Sequence, residues 1–548
     1  MLKKWGLTNF KSIYNMEKDM EFAPLTVLTG TNSSGKSSFI QSILLIAQTM
    51  QNKFFDRSLV LNGDFVDLGQ FDDIRSRPRS DSKHEYLPVG IRWSYKCVGN
   101  IEKEDYILNI EDKSKQLYEL YEINEFEKEF LDAPPEEKDD EYGEWFTISK
   151  KEYVINFDLE FDSFHSKEEN IKLYQKEQFL PRIISVKQNI LNLEEGNDKL
   201  PHTLYAKEDS QINIDKIINE QSDKEKYCYL LADTDPVFHI SHYTCPVRVV
   251  HFWPGVIYVS SKNLGLKNFE SETFTYNYFE ACYREFGNIF SKFKYLGPLR
   301  FRDSYYPFSK AADPKDVGVN GEYTAAVLDV YKDENISFIP PDYLYNNASD
   351  KMNFIEKPLI EALKDWLHYL DMANEIETEV TKHGYELKYN FINVSHVGTG
   401  VSQVLPILVS CLLAEKGATL IFEQPELHLH PRVQSKLADF FLSITLLGKQ
   451  CIIETHSEYF IDKLRLRICQ SLLDKNEEIK KNTKIYYFDN DGIETKIKEI
   501  EVNEYGDYSI WPDGFFDERQ HNSKEMLKSI DEKMFKETAG EDSETSDD

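Results

Sequence analysis

"GTNSSGKSS", residues 30–38, is the stretch that decides the fold. It matches the pattern G-x-x-x-x-G-K-[ST] and stands between an apolar run, "LTVLTG", and a segment with helical spacing, "SSFIQSILLIAQTMQ". A phosphate-binding loop requires this context, because inward-pointing amides at a helix N-terminus attract anions. We predict that Lys36 reaches the β- and γ-phosphates of ATP and that the Ser37 hydroxyl ligates Mg²⁺. The predicted ATP-binding residues of this loop are Gly30, Asn32, Ser33, Ser34, Gly35, Lys36, Ser37 and Ser38.

A second motif, "FEQPELHLHP" at residues 422–431, follows a short apolar run that is typical of a buried strand. An acidic pair at such a strand end forms a Walker B site, and here we expect Glu423 to hold magnesium through water. Gln424 stands where a general base would stand, and an amide can orient water but cannot accept its proton. Glu426 could polarise water if the loop bends. The alternative is a strand end with surface carboxylates.

Two further motifs complete a nucleotide-binding pattern. "CIIETHSEYF", residues 451–460, places His456 after a strand, about thirty residues beyond the acidic motif. A histidine at that point can contact a γ-phosphate as a switch residue. "HVGTGVSQVLPILVSCLL", residues 396–413, has Gly400 and Ser402 at the start of an apolar helix. Such a helix N-terminus attracts anions, and in a dimer it could close over the partner's γ-phosphate.

Composition limits the class of protein. The chain has 548 residues and a net charge of −31, so it is a poor free-standing DNA binder, although a local basic patch could still bind nucleic acid. The chain contains no run of eighteen apolar residues, so no membrane span is predicted. The start, "MLKKWGLTNFKS", lacks the apolar core of a signal peptide. We therefore expect a cytoplasmic protein without a membrane partner. The seven scattered cysteines indicate reduced thiols.

Changes in pattern along the chain predict five segments. The central one is acidic and broken by proline, and "KEENIKLYQKEQ" and "QINIDKIINEQSDKEK" within it are typical of exposed helices. The predicted segments are 1–100, an N-terminal lobe with the phosphate loop; 101–290, a mostly helical insertion; 291–500, a C-terminal lobe; 501–535, a C-terminal segment; and 536–548, a disordered acidic tail.

The order of these motifs resembles the ABC-type ATPase heads of the SMC-like and RecF-like group, and "EQPELHLHP" is similar to the D-loop motif of OLD-like ATPases. The resemblance implies an α/β fold, an ABC-type (SMC-like) ATPase head, split by a large mostly helical insertion. A narrower resemblance covers about half of the chain. "YLGPLRFRDSYYP", "VGTGVSQVLP" and "YGDYSIWPDGFFDE" are similar to bacterial ATPases that end in W-P-x-G-F-F-D-E, and several of these belong to anti-phage systems of the Septu type, including retron-linked forms.

The resemblance also implies roles, cofactors and partners. Gln70 in "VDLGQF" corresponds to the Q-loop glutamine and would ligate magnesium together with Ser37 and Glu423. Ser402 and Gln403 take the signature role together with Gly400, and Ser33 stands where the group commonly has glycine. The implied cofactors are ATP and Mg²⁺. The implied partners are a homodimer of heads or a higher oligomer, a separate HNH nuclease subunit and, in retron-linked forms, a reverse transcriptase with its RNA/DNA product.

Two alternatives remain open at this stage. A RecF-like repair ATPase predicts DNA-stimulated hydrolysis and a basic face, which the acidic charge disfavours. An OLD-like nuclease needs a Toprim metal site, and "FDNDG", residues 488–492, contains a D-x-D. Its surroundings, "TKIYYFDNDGIETKIKEI", instead predict two strands joined by an Asp-Gly turn. The basic run "KLRLR", residues 463–467, is predicted to be a solvated helix face.

Overall fold

The computed structural model forms two compact units. The first contains Met1–Phe22, Ser38–Phe293 and Gly417–Thr419, and the second contains Ala23–Ser37, Lys294–Lys416 and Leu420–Asp548. The structure describes residues 1–51, 59–76, 88–99, 151–163, 181–192, 199–202, 228–229, 237–240, 243–250, 253–259, 272–274, 289–308, 314–341, 354–372, 375–473, 477–492, 494–510 and 522–531.

The first unit is built on antiparallel strands. A seven-stranded sheet has the order β2-β1-β5-β6-β7-β8, with β3 paired to β1, and a five-stranded sheet has the order β13-β12-β11-β10-β9. Inside the first sheet Trp5 stacks on Trp93 with ring centroids 5.6 Å apart. The strands are β1 (Leu2–Phe10), β2 (Ile13–Asn15), β3 (Met20–Glu21), β5 (Val89–Gly99), β6 (Lys151–Ser163), β7 (Pro181–Asn192), β8 (Lys199–His202), β9 (Cys228–Tyr229), β10 (Val237–Ile240), β11 (Tyr243–Val250), β12 (Trp253–Val259) and β13 (Glu272–Phe274).

The prediction of a mostly helical insertion at 101–290 is wrong for the residues of that segment that the structure describes. Up to residue 274 these form strands β6 to β13. Their sequences explain this, because "KEYVINFDLEFDS" in β6 alternates apolar and polar residues with the period of two that a strand requires. The two runs for which helices are predicted lie outside the described residues, as do "WPDGFFDE" and the acidic tail.

The second unit contains a six-stranded sheet of order β14-β20-β21-β4-β22-β23. Strand β4 runs parallel to both β21 and β22, so the phosphate loop leaves the sheet between two parallel neighbours. Strands β22 and β23 form the antiparallel hairpin predicted around "FDNDG". The strands are β4 (Leu25–Gly30), β14 (Phe293–Leu296), β20 (Thr419–Glu423), β21 (Gln450–Glu454), β22 (Thr483–Asn490) and β23 (Thr495–Ile500).

Two small sheets and several helices complete the architecture. The small sheets contain β15 (Asn335–Phe338), β16 (Ile355–Pro358), β17 (Ile376–Thr381), β18 (Gly384–Tyr389) and β19 (Ile392–Asn393). The helices are α1 (Lys36–Gln51), α2 (Phe71–Ile74), α3 (Thr324–Tyr331), α4 (Leu359–Tyr369), α5 (Thr399–Leu413), α6 (Pro431–Leu446), α7 (Glu458–Leu473) and α8 (Glu478–Lys481). Within the described part of the chain, no helix is long and apolar enough to cross a membrane.

Helices α4, α5 and α6 supply much of the apolar core of the second unit. Helix α5 is buried all round from Val401 to Leu413, which fits its lack of a polar face. Trp366 of α4 meets Phe440 of α6 edge to face, with centroids 5.0 Å apart. These helices share one apolar core with Leu420 and Phe422 of β20 and with Cys451 and Ile453 of β21.

A buried ion cluster between α6 and α7, the Asp439 cluster (Tyr369, Asp439, Lys463 and Arg467), is a structural feature. Arg467 donates from Nε to Asp439 Oδ1 at 2.7 Å and from Nη2 to Oδ2 at 3.2 Å. The Tyr369 hydroxyl donates to Oδ2 at 2.6 Å, and Lys463 Nζ lies 3.3 Å from the same oxygen. The prediction of a solvated face for residues 463–467 is therefore wrong at Arg467, which is only 5% exposed.

Candidate functional site

The phosphate loop joins β4 to α1 and needs a backbone that few residues adopt. Gly30 and Gly35 have φ angles of 142° and 98°, in the region that favours glycine. A Cβ atom at Gly30 would lie 2.1 Å from the Phe488 carbonyl oxygen, so only glycine fits there. Ser33 has φ 59°, which explains why glycine is common at this position in the ATPases that the chain resembles. The loop sequence therefore fits a tight turn around an anion.

Lys36 begins helix α1 and turns back over its own loop. Its Nζ donates to the Thr31 carbonyl at 2.6 Å and to the Gly30 carbonyl and Ser34 Oγ at 3.2 Å each. Burial lowers the pKa of Lys36, and the nearby Glu454 carboxylate works against that shift. Asn32 and Ser33 are exposed, Ser34 is buried and Ser38 is half-buried in α1. The ammonium group is thus held where a phosphate on this loop would lie.

The end of β21 brings a carboxylate to the phosphate loop. The Ser37 hydroxyl lies 3.2 Å from Oε1 and 3.2 Å from Oε2 of Glu454. Glu454 is 3% exposed, and burial, followed by the charge of Glu423, raises its pKa to about 7. Lys36 and the hydrogen bond from Ser37 oppose this rise. No sequence pattern marks Glu454 as a site residue, although it stands two residues before His456.

The end of β20 lies beside the end of β21, and it carries Glu423 and Gln424. The Tyr295 hydroxyl donates to Glu423 Oε1 at 2.8 Å, and burial raises the pKa of Glu423. The backbone N–H of Gln424 donates to the Glu454 carbonyl at 2.8 Å. Gln424 has φ 44°, a left-handed conformation that is uncommon for a residue other than glycine and is often found at functional sites. The two strand ends are therefore fixed against each other.

Glu426 and His456 are connected through the backbone. Glu426 Oε1 accepts a hydrogen bond from the His456 amide at 2.7 Å, while Oε2 is buried without a hydrogen-bond partner among the described residues. Burial raises the pKa of Glu426. Burial and the charge of Lys36 lower the pKa of His456, so its imidazole is neutral near pH 7, and it hydrogen bonds to the Gly30 carbonyl. We call Glu423, Gln424, Glu426 and Glu454 the strand-end cluster.

Arg300, in the loop after β14, joins the strand-end cluster to helix α5. Its Nη2 donates to the Glu423 carbonyl at 3.0 Å, and its Nη1 lies 3.4 Å from the Gln424 carbonyl and 3.2 Å from Gln403 Oε1. Burial lowers the pKa of Arg300 to about 10, so the guanidinium remains charged at pH 7. Its Nε is buried without a hydrogen-bond partner within the described ranges. Arg300 and Tyr295 lie in a run for which sequence alone suggested no catalytic role.

The predicted signature residues lie at the start of α5. Ser402 Oγ donates to the Thr399 carbonyl at 2.8 Å. Ser402 and Gln403 are 1% and 5% exposed, so both residues are buried within the second unit. Gly398, which caps the helix, is exposed, and a Cβ atom added at Gly400 would lie 3.9 Å from the His428 carbonyl oxygen. Helix α5 thus presents backbone, not side chains, at its open end.

Gln70, the predicted Q-loop residue, belongs to the first unit. It precedes α2, and its backbone N–H donates to Asp73 Oδ2 at 2.8 Å. Its side chain is exposed. The second unit by itself brings together the phosphate loop, Glu423, Gln424, Glu426 and His456 from the predicted set, and it adds Glu454, Tyr295 and Arg300.

Three family models match parts of the chain. The model described as "AAA ATPase domain" matches residues 1–292, more than half of the chain. A model described as "AAA domain, putative AbiEii toxin, Type IV TA system" matches residues 286–462, and one described as "Protein of unknown function (DUF3696)" matches residues 480–526. A comparison with curated proteins gives no match.

Solved heads of SMC proteins are distantly similar to the chain. An SMC head bound to the C-winged helix domain of ScpA has 10% identity and a TM-score of 0.34, with 92% of this chain and 98% of that chain covered. The SMC head domain from Thermotoga maritima has 9% identity and a TM-score of 0.32, with 91% and 99% covered. A head with an extended coiled coil, bound to the C-terminal domain of ScpA and derived from Pyrococcus furiosus, has 10% identity and a TM-score of 0.32, with 96% and 99% covered. These likenesses are too distant to bear on the chemistry of the site.

Proposed function

The chain belongs to the AAA ATPase domain family, and we propose that it has the α/β fold of an ABC-type, SMC-like ATPase head, binds ATP with Mg²⁺ and hydrolyses it slowly. The observation that carries this proposal is the meeting of the phosphate loop with the ends of β20 and β21 in one sheet. Nucleotides bind at the carboxyl ends of strands in sheets of this kind. The side chains at those ends have the charges that a nucleotide and its metal require.

The residues of the loop suit the phosphates of ATP. The N-terminus of α1 offers amides and a favourable dipole, and Lys36 adds a positive charge. Hydroxyl and carboxylate oxygens, the donors that Mg²⁺ prefers, come from Ser37, Glu423 and Glu454. The residues present therefore suit a magnesium ion. Bound Mg²⁺ would neutralise charge on the β- and γ-phosphate oxygens.

Slow hydrolysis follows from Gln424. Its amide can orient a water molecule but cannot accept the proton, and the loss of a general base typically costs about 10²- to 10⁴-fold in rate. Glu426 and His456 are the residues that could replace it. The His456 amide already occupies one oxygen of Glu426, and its neutral ring bonds to the Gly30 carbonyl. A long-lived ATP-bound form is therefore the expected working state.

We infer further that two heads form a dimer around ATP, with the start of α5 from one head facing the phosphate loop of the other. Gly398 is exposed, and among the described residues a Cβ atom added there would meet open space, which supports an accessible helix N-terminus. Helix N-termini bind anions, and Gly400, Ser402 and Gln403 would shape this one. ATP would then shift the population of head arrangements.

For the cellular role, we propose the regulatory subunit of an anti-phage complex that controls a separate HNH nuclease. The resemblance of "EQPELHLHP" and "WPDGFFDE" to PtuA-type ATPases of Septu systems supports it, and a retron-linked form would add a reverse transcriptase with its RNA/DNA product. The matched family model that names a toxin of a Type IV TA system is consistent with a defence role. The net charge of −31 favours a protein partner over bare DNA.

Nucleotide binding is tested first. Lys36→Ala should weaken binding of a fluorescent ATP analogue by about 100-fold or more, since it removes the charge that faces the phosphates. The matched control is Lys315→Ala, which removes a lysine from an exposed ion pair with Glu334 and should leave affinity unchanged. Wild-type protein that binds no ATP would refute the proposed activity.

Hydrolysis is tested at Gln424. Gln424→Glu should raise ATP turnover if a general base is what the site lacks. The same substitution combined with Lys36→Ala should be inactive, which assigns any gain to this site. Unchanged or lower turnover in Gln424→Glu would rule out this explanation of slow hydrolysis.

The cellular role is tested by purifying the protein with the products of neighbouring genes. Recovery of an HNH nuclease, whose activity changes with ATP, is the expected result. DNA-stimulated ATP hydrolysis without a nuclease would favour a RecF-like repair role. Metal-dependent DNA cleavage by this polypeptide alone would favour the OLD-like alternative.

A further inference from the structure

The carboxylate that meets the Ser37 hydroxyl comes from an unexpected strand. The acidic motif at the end of β20 predicts Glu423 as the magnesium carboxylate. Strand β21, however, lies directly beside β4, in parallel and with Glu454 opposite Leu28. This register places the last residue of β21 next to the start of the phosphate loop. Strand β20 is one strand further away in the same sheet.

The contacts of the two glutamates differ accordingly. Both carboxylate oxygens of Glu454 lie 3.2 Å from Ser37 Oγ, so the carboxylate faces the hydroxyl squarely. Glu423 is instead engaged by the Tyr295 hydroxyl at 2.8 Å, and its carbonyl accepts from Arg300. The described contacts include no hydrogen bond between Glu423 and Ser37. Glu454 is also the more deeply buried carboxylate, at 3% exposure.

We propose that Glu454, together with Ser37, holds the Mg²⁺ that accompanies ATP, and that Glu423 supports this site through Tyr295. In phosphate-loop proteins the loop hydroxyl is a direct magnesium ligand, and Mg²⁺ keeps several of its own waters. A carboxylate in contact with that hydroxyl is placed to accept hydrogen bonds from those waters. Because the backbone N–H of Gln424 donates to the Glu454 carbonyl, the end of β20 fixes the backbone of Glu454, the metal-holding residue.

This inference rests on the proposed ATP binding and deepens it by assigning the metal's carboxylate. Partners of this kind orient a metal and tune its affinity without necessarily being direct ligands. The assignment also separates two functions that the sequence pattern combines at one strand end. Metal holding would depend on β21, and water orientation would depend on Gln424 at the end of β20.

The test is a magnesium titration of protein and a fluorescent ATP analogue, with affinity as the readout. Glu454→Gln should raise the apparent Kd for Mg²⁺ by about 10- to 100-fold. Glu423→Gln, the same substitution on the neighbouring strand, is the comparison, and it should raise that Kd less than Glu454→Gln does. The matched control is Glu334→Gln, which breaks an ion pair with Lys315 away from the phosphate loop and should leave that Kd unchanged. In EDTA all three variants should bind the analogue as the wild type does, which shows that they are folded.

The outcomes separate the inference from the function on which it rests. If Mg²⁺ still raises the affinity of Glu454→Gln for the analogue as it does in the wild type, the assignment of Glu454 is overturned, even when ATP turnover falls. The same holds if only Glu423→Gln loses this Mg²⁺-dependent gain in affinity. If the wild-type protein does not bind the analogue with or without Mg²⁺, the proposed ATP site itself fails. If Glu454→Gln fails to fold, Glu454→Asp replaces it. Its shortened carboxylate should show an intermediate Mg²⁺ affinity, and an unchanged affinity would overturn the assignment.

Discussion

The Asp439 cluster and the strand-end cluster are both groups of buried charges in the second unit, but they differ in how completely their hydrogen bonds are made. Asp439 receives both forks of Arg467, the Tyr369 hydroxyl and an ion pair from Lys463. In the strand-end cluster Glu426 Oε2 and the adjoining Arg300 Nε are buried without hydrogen-bond partners among the residues described. A buried charge with all its hydrogen bonds made is typical of a structural ion cluster. Buried polar atoms without hydrogen-bond partners and raised carboxyl pKa values are typical of a ligand-binding site.

Backbone conformation follows the same division. Gln424 and Ser33, both at the candidate site, have positive φ angles although neither is glycine; the other described non-glycine residues with positive φ are Asn9, Lys11, Asp371, Asn390, Phe391 and His428, and none belongs to the Asp439 cluster. Asp439 and Arg467 lie inside regular helices. Strain of this kind persists where the surrounding structure enforces it, and it concentrates at functional sites. The comparison therefore predicts opposite responses to similar substitutions in the two clusters.

The largest effect is expected at Asp439. Asp439→Asn removes the countercharge of a buried arginine and should lower the free energy of unfolding by about 3–5 kcal/mol. The measurement is equilibrium denaturation in urea. Glu334→Gln is the matched control, because Glu334 forms an exposed pair with Lys315 at 2.6 Å, and it should cost no more than about 1 kcal/mol. Similar costs for the two variants would contradict a structural role for the Asp439 cluster.

Sequence alone predicted the part of the candidate site that is local in the chain. The phosphate loop, the strand before it and the helix after it are adjacent in sequence, so spacing and glycine placement predict them. The contact between Ser37 and Glu454 spans 417 positions, and it depends on which strand lies next to β4. No local pattern encodes that neighbour, so the sequence pattern assigned the metal to Glu423 at the end of β20.

The error about the insertion has a different cause. Its charged runs predicted helices, whereas the described parts up to residue 274 are strands; apolar and polar residues alternate in β6, but the alternation is interrupted in β7. Arg300 and Tyr295 received no catalytic role because their basic, aromatic run favoured a place in the core or at a dimer edge. Their roles depend on the ends of β20 and α5, which other parts of the chain place beside them.

A smaller effect is expected at Lys449, which sharpens the comparison because it is hydrogen bonded but has no carboxylate partner among the described residues. Its Nζ donates to the Cys411 and Leu412 carbonyls at 2.8 and 3.1 Å, near the end of α5. Burial lowers its pKa to about 8 from an ordinary value of 10.5. The unfolded chain therefore binds this proton more tightly, and stability should rise as pH increases from about 8 towards 10.5.

The check is the difference between wild type and Lys449→Met, since other titrating groups cancel in that difference. Relative to Lys449→Met, the wild type should gain about 1–3 kcal/mol of unfolding free energy across that window. A difference that stays constant from pH 7 to pH 10 would mean that the lysine has its ordinary pKa in the folded protein.

A still smaller effect, of opposite sign to that of Asp439→Asn, is expected at Glu426. Its raised pKa means that the folded state favours the protonated form, so the wild type loses stability as pH rises from the unfolded value through the folded one. Glu426→Gln avoids this loss and should stabilise the protein by about 1 kcal/mol at pH 8, with a smaller gain at pH 5. Denaturation at both pH values measures it. Destabilisation comparable to that of Asp439→Asn would show that Glu426 is a satisfied structural charge.

The smallest effect is expected at Ser33, where strain is stored in a single residue. Ser33→Gly relieves the left-handed backbone but adds freedom to the unfolded chain, so a net gain of about 0.5 kcal/mol is expected. Ser38→Gly is the matched control, because Ser38 lies inside α1, where glycine should cost about 0.5–1 kcal/mol. The same chemical change thus has opposite signs five positions apart. Equal losses in both variants would mean that Ser33 is unstrained, and the site would then store its strain at Gln424 instead.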